Sequence, residues 1–242
     1  MAQVSVILPV YNEAKCIEKT LSSVLLFSQE KPNYDFIFVN DGSTDKTKDI
    51  LERNLALKKA SNVNLISYEL NQGKGYAVKL GVSYAQGDYI CYIDSDLAYA
   101  LEHLELVIEK LECFDMVIGC RSLAANHFQT SRSVRMIAGK IFNILSRYIL
   151  DLPFTDMQAG IKGFKNNVAK ELFQRQQITG FSFDVELVYI AYRKGYDIGE
   201  IPAVVSEQHQ NKISKVNLLT DSVVMFLDLL RIKYNDKIGR YK

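Results

Sequence analysis

A chain of 242 residues, 48% apolar and 24% charged, has the composition of a globular protein with a substantial core in one large domain or two small ones. Its 29 Lys and Arg against 28 Asp and Glu leave a formal charge of +1, which gives no reason to expect a nucleic-acid partner. The cysteines Cys16, Cys91, Cys113 and Cys120 form no Cys-x-x-Cys pair, and Cys91 and Cys120 fall in apolar runs, as buried thiols of a reducing compartment do. A first strand pattern beginning near Gln3 leaves no room for a signal peptide, and no apolar run approaches the roughly 18 residues of a membrane span. The expectation is a cytosolic protein, or one held peripherally at the cytosolic face of a membrane.

In chain order, Val4-Ser5-Val6-Ile7-Leu8-Pro9 predicts a first strand and Glu13 to Ser28 a helix with Ile17, Leu21, Val24 and Leu25 on one side. Phe36 to Val39 predicts a second strand, followed by Asn40-Asp41-Gly42-Ser43-Thr44-Asp45 and a helix to about Ala60. Val63 to Tyr68 is a third strand, Gly75 to Ala85 a helix, Tyr89 to Ile93 a fourth strand, Leu101 to Leu111 a helix, and Met116 to Gly119 a fifth strand. This alternation predicts an α/β fold: a Rossmann-like, mainly parallel sheet flanked by helices, with ligands beyond the carboxyl ends of the strands. The polar clusters Tyr11-Asn12-Glu13, Asn40 to Ser43, Asn71 to Gly75 and Asp94-Ser95-Asp96 all fall at those ends.

The second half is less regular. A helix is predicted from Arg132 to Leu150, a loop from Asp151 to Lys165, and helices near Val168–Phe173 and Asp184–Arg193. Ile198 to Val205 reads as a strand that Pro202 puts near an edge, and Asn217 to Tyr234 as a final helix. With no repeat or linker, residues 1–242 are expected to form a single domain.

Chemistry enters at Asp94-Ser95-Asp96. Two carboxylates one residue apart after a buried strand can share Mg²⁺ or Mn²⁺ with a substrate phosphate. The plainer alternative is that Ser95 and Asp96 cap the next helix. The loop Gly73-Lys74-Gly75 is not a P-loop, because Tyr76 follows Gly75, nor a dinucleotide fingerprint, because Val78 stands at the third glycine. A tight turn into a helix N-terminus that favours an anion remains for it, beside a plain strand-to-helix turn.

Together, Val6 to Glu13, Val39 to Asp45, Asn71 to Gly75 and Asp94-Ser95-Asp96 resemble glycosyltransferase family 2, enzymes of the GT-A fold that use nucleotide-sugar donors. The segments Thr155 to Phe164 and Gly180 to Glu186, with Ser214-Lys215-Val216, are similar to the polyprenyl-phosphate sugar synthase branch, which includes dolichyl-phosphate glucosyl- and mannosyltransferases. The chain has no Trp and hence no Gln-x-x-Arg-Trp motif, which excludes the processive polysaccharide synthases. It also lacks the C-terminal membrane spans of some relatives.

The resemblance implies a nucleotide-sugar half over about residues 1–120 and an acceptor-side half over about 121–242. Pro9, Tyr11, Glu13 and Asp41 would hold base and ribose, Gly73, Lys74 and Arg121 would border the donor, and Asp94 and Asp96 would carry the metal–diphosphate contact, with Asp96 preferred as the direct ligand. Asp156 and Gln158 would line the site. The implied reaction is inverting transfer of a hexose, from a donor of the UDP-glucose or GDP-mannose type, to a polyprenyl or dolichyl phosphate.

A sugar-hydroxyl acceptor would need a base, for which Asp156 and Glu186 are candidates; a lipid phosphate needs positive charge instead. That charge is at hand, because no acid occurs between Asp115 and Asp151 while Arg121, Arg132, Arg135, Lys140 and Arg147 do. Arg132 and Arg135 share a helix face and suit forked phosphate contacts; a solvated basic face is the alternative. His209 is placed on a loop able to close over the diphosphate. In the last helix, Leu219, Val223, Phe226, Leu227 and Leu230 form one apolar face for packing. Leu218, Met225 and Leu229 are left over for a peripheral membrane contact or a membrane-embedded partner subunit. The rivals are a soluble family 2 glycosyltransferase acting on a sugar or protein hydroxyl, a sugar nucleotidyltransferase, and a catalytically idle binding protein, which the intact acidic and basic sets disfavour.

Overall fold

The computed structural model describes residues 2–58, 61–124, 134–206 and 220–242, without the side chains of 58, 134–138, 140, 220 and 221. Its strands are β1 (Val4–Val10), β2 (Tyr34–Asp41), β3 (Val63–Tyr68), β4 (Tyr89–Ile93), β5 (Met116–Cys120), β6 (Ile161–Lys165) and β7 (Ile198–Pro202). Its helices are α1 (Ile17–Glu30), α2 (Thr47–Lys58), α3 (Lys74–Tyr84), α4 (His103–Leu111), α5 (Val134–Leu150), α6 (Asn166–Arg175), α7 (Phe183–Arg193) and α8 (Thr220–Lys237). The strands form one sheet in the order β3-β2-β1-β4-β6-β5-β7. All run one way except β6, which is antiparallel to both β4 and β5.

Period-two alternation sends side chains to two cores. Ile7, Ile37, Val39 and Tyr92 face α3, α6 and α7, with Phe142 and Leu150 of α5 and Leu229 and Ile232 of α8 in the same layer. Val6, Leu8, Phe38 and Cys91 face the opposite layer, with Leu21 and Val24 of α1, Leu51 of α2, and Leu104 and Val107 of α4. Cys91 and Cys120 are buried free thiols, as expected. Pro202 lies on β7, the edge strand its lack of an N–H predicts.

Strands β1 and β4 pair only from Val4↔Tyr89 to Ile7↔Tyr92, whereas β1 stays paired with β2 as far as Val10↔Asn40. Pro9 therefore sits where β1 has a neighbour on one side alone. This is the topological switch point between β1 and β4, the place at which open α/β sheets take their ligands.

Two sequence expectations are corrected. Residues 161–165 are the central antiparallel strand β6, not the end of a loop. Two lysines and a glycine in five residues hide its strand pattern, yet Lys162 is fully buried and Gly163 is small for a reason. A Cβ on Gly163 would lie 2.2 Å from Val107 Cγ1 on α4.

On α8 the packing face is the reverse of that expected. Leu229 and Ile232 are fully buried, with Met225 packed against the core, while Val223 (60% exposed), Phe226, Leu227 and Leu230 face outward. Polar contacts that hydropathy cannot register help turn the helix: Tyr189 donates to Asp236 at 2.8 Å, and Arg193 pairs with the same carboxylate at 3.3 Å. Leu218 and Leu219 lie outside the described residues. No helix among the described residues is long and apolar enough to cross a membrane.

The central position of β6 predicts that Gly163→Ala lowers unfolding free energy by about 1–3 kcal/mol, the range for overpacking a tight core. Urea denaturation checks this. A neutral outcome would mean that α4 is not seated on Gly163.

Candidate active site

The loops after β1, β2 and β3 are laced together at the strand ends. Asn12, at φ 51°, accepts through Oδ1 from the Thr44 and Asp45 amides at 2.8 and 3.3 Å, and its own amide donates to Ser43 Oγ at 2.9 Å. The Glu13 amide donates to Thr47 Oγ1 at 2.8 Å, and the Glu13 carboxylate accepts from the Cys16 thiol at 2.9 Å. Pro9 is buried in β1, and Tyr11 stands exposed at its mouth.

Asp41 is the staple of the glycine loop. Its Oδ1 accepts from Tyr68 Oη at 2.9 Å and the Gln72 amide at 2.7 Å; its Oδ2 accepts from Asn71 Nδ2 at 2.9 Å and the Gly73 amide at 3.0 Å. All of the acceptor capacity of this buried carboxylate is engaged within the protein. Asp41 thus fixes the Asn71–Gly73 loop at the end of β2, the position at which the sequence suggested contact with base or ribose.

The loop amides are engaged as well. Gly73, at φ 98°, directs the chain so that the Gly75 amide donates to the Thr179 carbonyl at 2.7 Å, and a Cβ on Gly73 would lie 2.5 Å from that oxygen. The Gly75, Tyr76 and Ala77 amides at the start of α3 are thus met by backbone carbonyls, as in the plain strand-to-helix turn. What the loop delivers to the site is the side chain of Lys74.

Lys74 Nζ lies 2.7 Å from Asp94 Oδ1 and 3.7 Å from Asp184 Oδ2, and 5.6 Å from the centroid of the Phe183 ring. Burial pulls the ammonium down, but Asp94 and then Asp184 outweigh it and raise its pKa overall. The Asp94 amide donates to the Gly160 carbonyl at 2.9 Å. A Cβ on Gly160 would come within 2.0 Å of Asp94 Oδ2, so only glycine leaves room for that carboxylate.

Asp96 Oδ1 accepts from the Ala98 amide at 3.1 Å in an Asx turn, and α4 does not begin until His103. Asp94-Ser95-Asp96 therefore caps no helix. Among the described residues no cluster of three His, Cys, Asp or Glu forms a metal cage. The hard-oxygen pair Asp94 and Asp96 fits Mg²⁺ or Mn²⁺, ions that take one or two carboxylates and fill the remaining positions with phosphate and water.

Beneath Asp94 lies a buried polar cluster. Lys162 Nζ, fully enclosed, reaches Asp184 Oδ1 at 2.8 Å and the Ala159 carbonyl at 2.9 Å, and the Tyr92 hydroxyl donates to the same Asp184 oxygen. Burial lowers the Lys162 pKa, and Asp184 opposes that shift. Lys162, Tyr92 and Gly160 are the site-supporting residues that motif reasoning missed. A lysine between apolar residues in Ala159 to Phe164 was the signal available.

After β5, Arg121 forks onto Asp156, with Nε–Oδ2 at 2.6 Å and Nη2–Oδ1 at 2.8 Å, and the Arg121 amide adds a 3.0 Å bond. The Gln158 amide also donates to Asp156, at 3.2 Å, which ties the half-buried Gln158 to this pair. Burial pushes the Asp156 carboxyl up, but the Arg121 guanidinium outweighs it and brings the pKa down to about 2. Asp156 is the anchor of Arg121, and a carboxyl so held makes a poor base.

Glu186, the other candidate base, is fully buried and accepts from the Gln177 and Ile178 amides at 3.1 and 2.9 Å and from Tyr241 Oη at 2.6 Å. It is structural. Arg132, the side chain of Arg135, His209 and Ser214 to Val216 lie outside the described residues.

The arrangement is an α/β sheet with polar loops gathered at the β1/β4 switch point and the acidic pair Asp94 and Asp96 directly after β4. The Glycosyl transferase family 2 model matches residues 5–173. Dolichyl-phosphate beta-glucosyltransferase of Dictyostelium discoideum is 30% identical over 98% of this chain and 76% of its own length. The Saccharomyces cerevisiae protein of the same description is 28% identical over 98% of this chain and 76% of its own length. Among solved structures, glucosyl-3-phosphoglycerate synthase from Mycobacterium tuberculosis in complex with Mn²⁺, UDP and phosphoglyceric acid superposes with a TM-score of 0.67. It is 16% identical, over 99% of this chain and 78% of that one, which is a likeness of fold, the GT-A fold. The chain belongs to glycosyltransferase family 2 and, within it, to the polyprenyl-phosphate sugar synthase branch.

The low pKa of Asp156 carries a pH signature. A carboxyl held below its ordinary 3.8 stabilises the fold above that pH and loses its contribution as pH falls through about 2. Asp156→Asn is therefore expected to be less stable than the unaltered chain by at most about 2 kcal/mol near neutrality, since Arg121 is partly exposed and screened. The difference should shrink between about pH 4 and about pH 2. Urea melts of both proteins across that range measure it; a gap constant with pH would detach the stability of Asp156 from its charge.

Proposed function

We propose that this protein transfers a glucosyl residue, with inversion at the anomeric carbon, from UDP-glucose to a polyprenyl phosphate at the cytosolic face of a membrane. The observation that carries this reading is the engagement of both candidate bases. Asp156 is bound by Arg121, and Glu186 is enclosed by two amides and a tyrosine. A hydroxyl acceptor must lose a proton to a nearby base; a phosphate acceptor is already anionic and needs none. The same observation disfavours the soluble, hydroxyl-directed rival. The description of the Dictyostelium and yeast relatives supports glucose over mannose and a polyprenyl lipid over other phosphates.

In this reading Tyr11 and the loops after β1 and β2 border the base and ribose, with the Asn71–Gly73 loop held in place by Asp41. Asp94 and Asp96 hold the divalent ion, and Lys74 adds positive charge beside the diphosphate. A bound Mg²⁺ or Mn²⁺ supplies Lewis-acid stabilisation of the charge that develops on the departing nucleoside diphosphate. Arg121, kept in place by Asp156, faces the acceptor side with Gln158, and Arg132 and Arg135 supply further charge for the lipid phosphate.

Support for a membrane-borne acceptor comes from the outward faces of α5 and α8, which pack against one another. On α5, Ile141, Ile144 and Tyr148 are exposed, and on α8 Val223, Phe226, Leu227, Leu230 and Tyr234. Helix α5 contains Arg135, Lys140 and Arg147 and no acid. Apolar stripes flanked by bases suit the interface of an anionic bilayer.

The deciding assay offers UDP-glucose and GDP-mannose separately to polyprenyl phosphate and to free sugar acceptors, and in parallel offers nucleoside triphosphate with sugar 1-phosphate. Glucosyl transfer to the lipid alone is expected, lost by about 100-fold or more in a folded Asp96→Asn variant. Transfer to a sugar hydroxyl, or pyrophosphate release from triphosphate, would replace this reading with one of its rivals. In flotation with anionic vesicles, the chain should bind in a salt-sensitive way, and Val223→Gln/Leu227→Gln/Leu230→Gln should weaken binding while leaving UDP affinity unchanged. Equal flotation of both proteins would remove α8 from the membrane contact.

A further inference from the structure

Lys74 stands between two carboxylates that differ in their freedom. Asp94 directly follows β4, is 35% exposed and has Lys74 on Oδ1 at 2.7 Å. Asp184 opens α7, is 5% exposed and is immobilised from behind by Lys162 at 2.8 Å and by the Tyr92 hydroxyl. The Oδ1 of Asp184 is thereby filled, while its Oδ2 faces Lys74 at 3.7 Å, beyond a close ion pair but within one side-chain adjustment. The aromatic ring of Phe183 lies alongside the ammonium, 5.6 Å from centroid to Nζ.

A cation held on the more accessible carboxylate, with a second, rigid carboxylate one short step away, has two seats. Asp94 is also one of the two acids that fit a divalent ion. Its Oδ2 is pressed against Gly160, so the carboxylate cannot swing away from Lys74 in that direction. An ion on Asp94 would share this one carboxylate with the ammonium already bound at its Oδ1, and the two like charges compete for it.

We propose that Lys74 is an exchangeable internal counter-cation: it occupies Asp94 while the donor site is empty and moves onto Asp184 when a divalent ion takes Asp94. Asp184, backed by Lys162 and Tyr92, is the positioning residue that keeps the displaced ammonium next to the incoming diphosphate. The consequence is ordered loading. The free ion binds weakly because it must displace Lys74, whereas ion and diphosphate together bind well because the displaced ammonium gains phosphate oxygens as partners. This inference rests on the reading of Asp94 and Asp96 as ion ligands, and needs neither the identity of the sugar nor that of the acceptor.

Binding of Mn²⁺ alone, followed by loss of the free-ion EPR signal, tests it together with calorimetry of UDP in saturating Mn²⁺. Lys74→Met is expected to bind Mn²⁺ alone about tenfold more tightly than the unaltered chain, yet to bind UDP with Mn²⁺ about tenfold more weakly, a single charge–charge contact being of that order. Opposite signs in one variant are what mere structural damage would not produce. Asp184→Asn, checked for folding by thermal melt, is expected to weaken Mn²⁺ binding, because the ammonium then has Asp94 as its one carboxylate. Should that variant not fold, the two Lys74→Met measurements decide the matter alone, since they leave the Lys162–Asp184 pair intact. Mn²⁺ affinity in Lys74→Met at or below that of the unaltered chain overturns the exchange, and leaves the ion site standing if UDP and Mn²⁺ still bind together. Absence of Mn²⁺ binding in every variant, with and without UDP, overturns the exchange and the ion site together.

Discussion

The architecture of the site depends on the buried pair Lys162–Asp184. Removing two charges from water costs several kcal/mol each, and their attraction offsets this only when the remaining hydrogen-bonding capacity is filled. Here it is substantially filled: the ammonium also reaches the Ala159 carbonyl, and the Tyr92 hydroxyl donates to Asp184. The three side chains come from β6, α7 and β4. The pair thus joins the reversed strand, the helix behind it and the strand that carries the acidic motif. An apolar trio of similar volume could pack there with equal stability, but it would not present a carboxylate oxygen to Lys74. The ionic solution is explained by the site above it rather than by stability.

The donor side follows a different logic, in which backbone geometry is imposed by short polar side chains. Asn12 in the left-handed region links the β1 loop to the β2 loop, and Asp41 links the β2 loop to the loop after β3. Each link satisfies amides that a strand-to-helix connection would otherwise leave exposed at the strand ends. Two glycines make the close approaches possible: a Cβ on Gly42 would meet the Asn71 amide nitrogen at 2.5 Å, and one on Gly73 the Thr179 carbonyl. The loops at these strand ends are consequently preorganised, which reduces the ordering cost of binding any ligand there.

After β5, the fork of Arg121 on Asp156 aligns a guanidinium and engages both oxygens of that carboxylate. That exchange of a base for an aligned cation is the chemistry a phosphate acceptor requires. The outward stripes of α5 and α8 add a surface whose apolar area has no packing partner among the described residues.

By itself the sequence determined the α/β alternation, the mainly parallel sheet, the edge position of Pro202 and the gathering of Tyr11, Asp41, Lys74 and Asp94 at the strand ends. These follow from local periodicity and from the rule that a parallel sheet places its loops on one side. Only the tertiary structure decided the rest. Strand β6 escaped because Lys162 and Gly163 carry no strand signal until Asp184 neutralises the one and Val107 fills the space above the other. The inward face of α8 was misjudged because both of its stripes are apolar, and the choice rests on partners far away in the chain, such as Tyr189 and Arg193. The roles of Asp41, Asp156 and Glu186 divided in the same way. A carboxylate in a motif reads alike whether it meets a ligand or a backbone amide, and only the fold specifies which donors surround it.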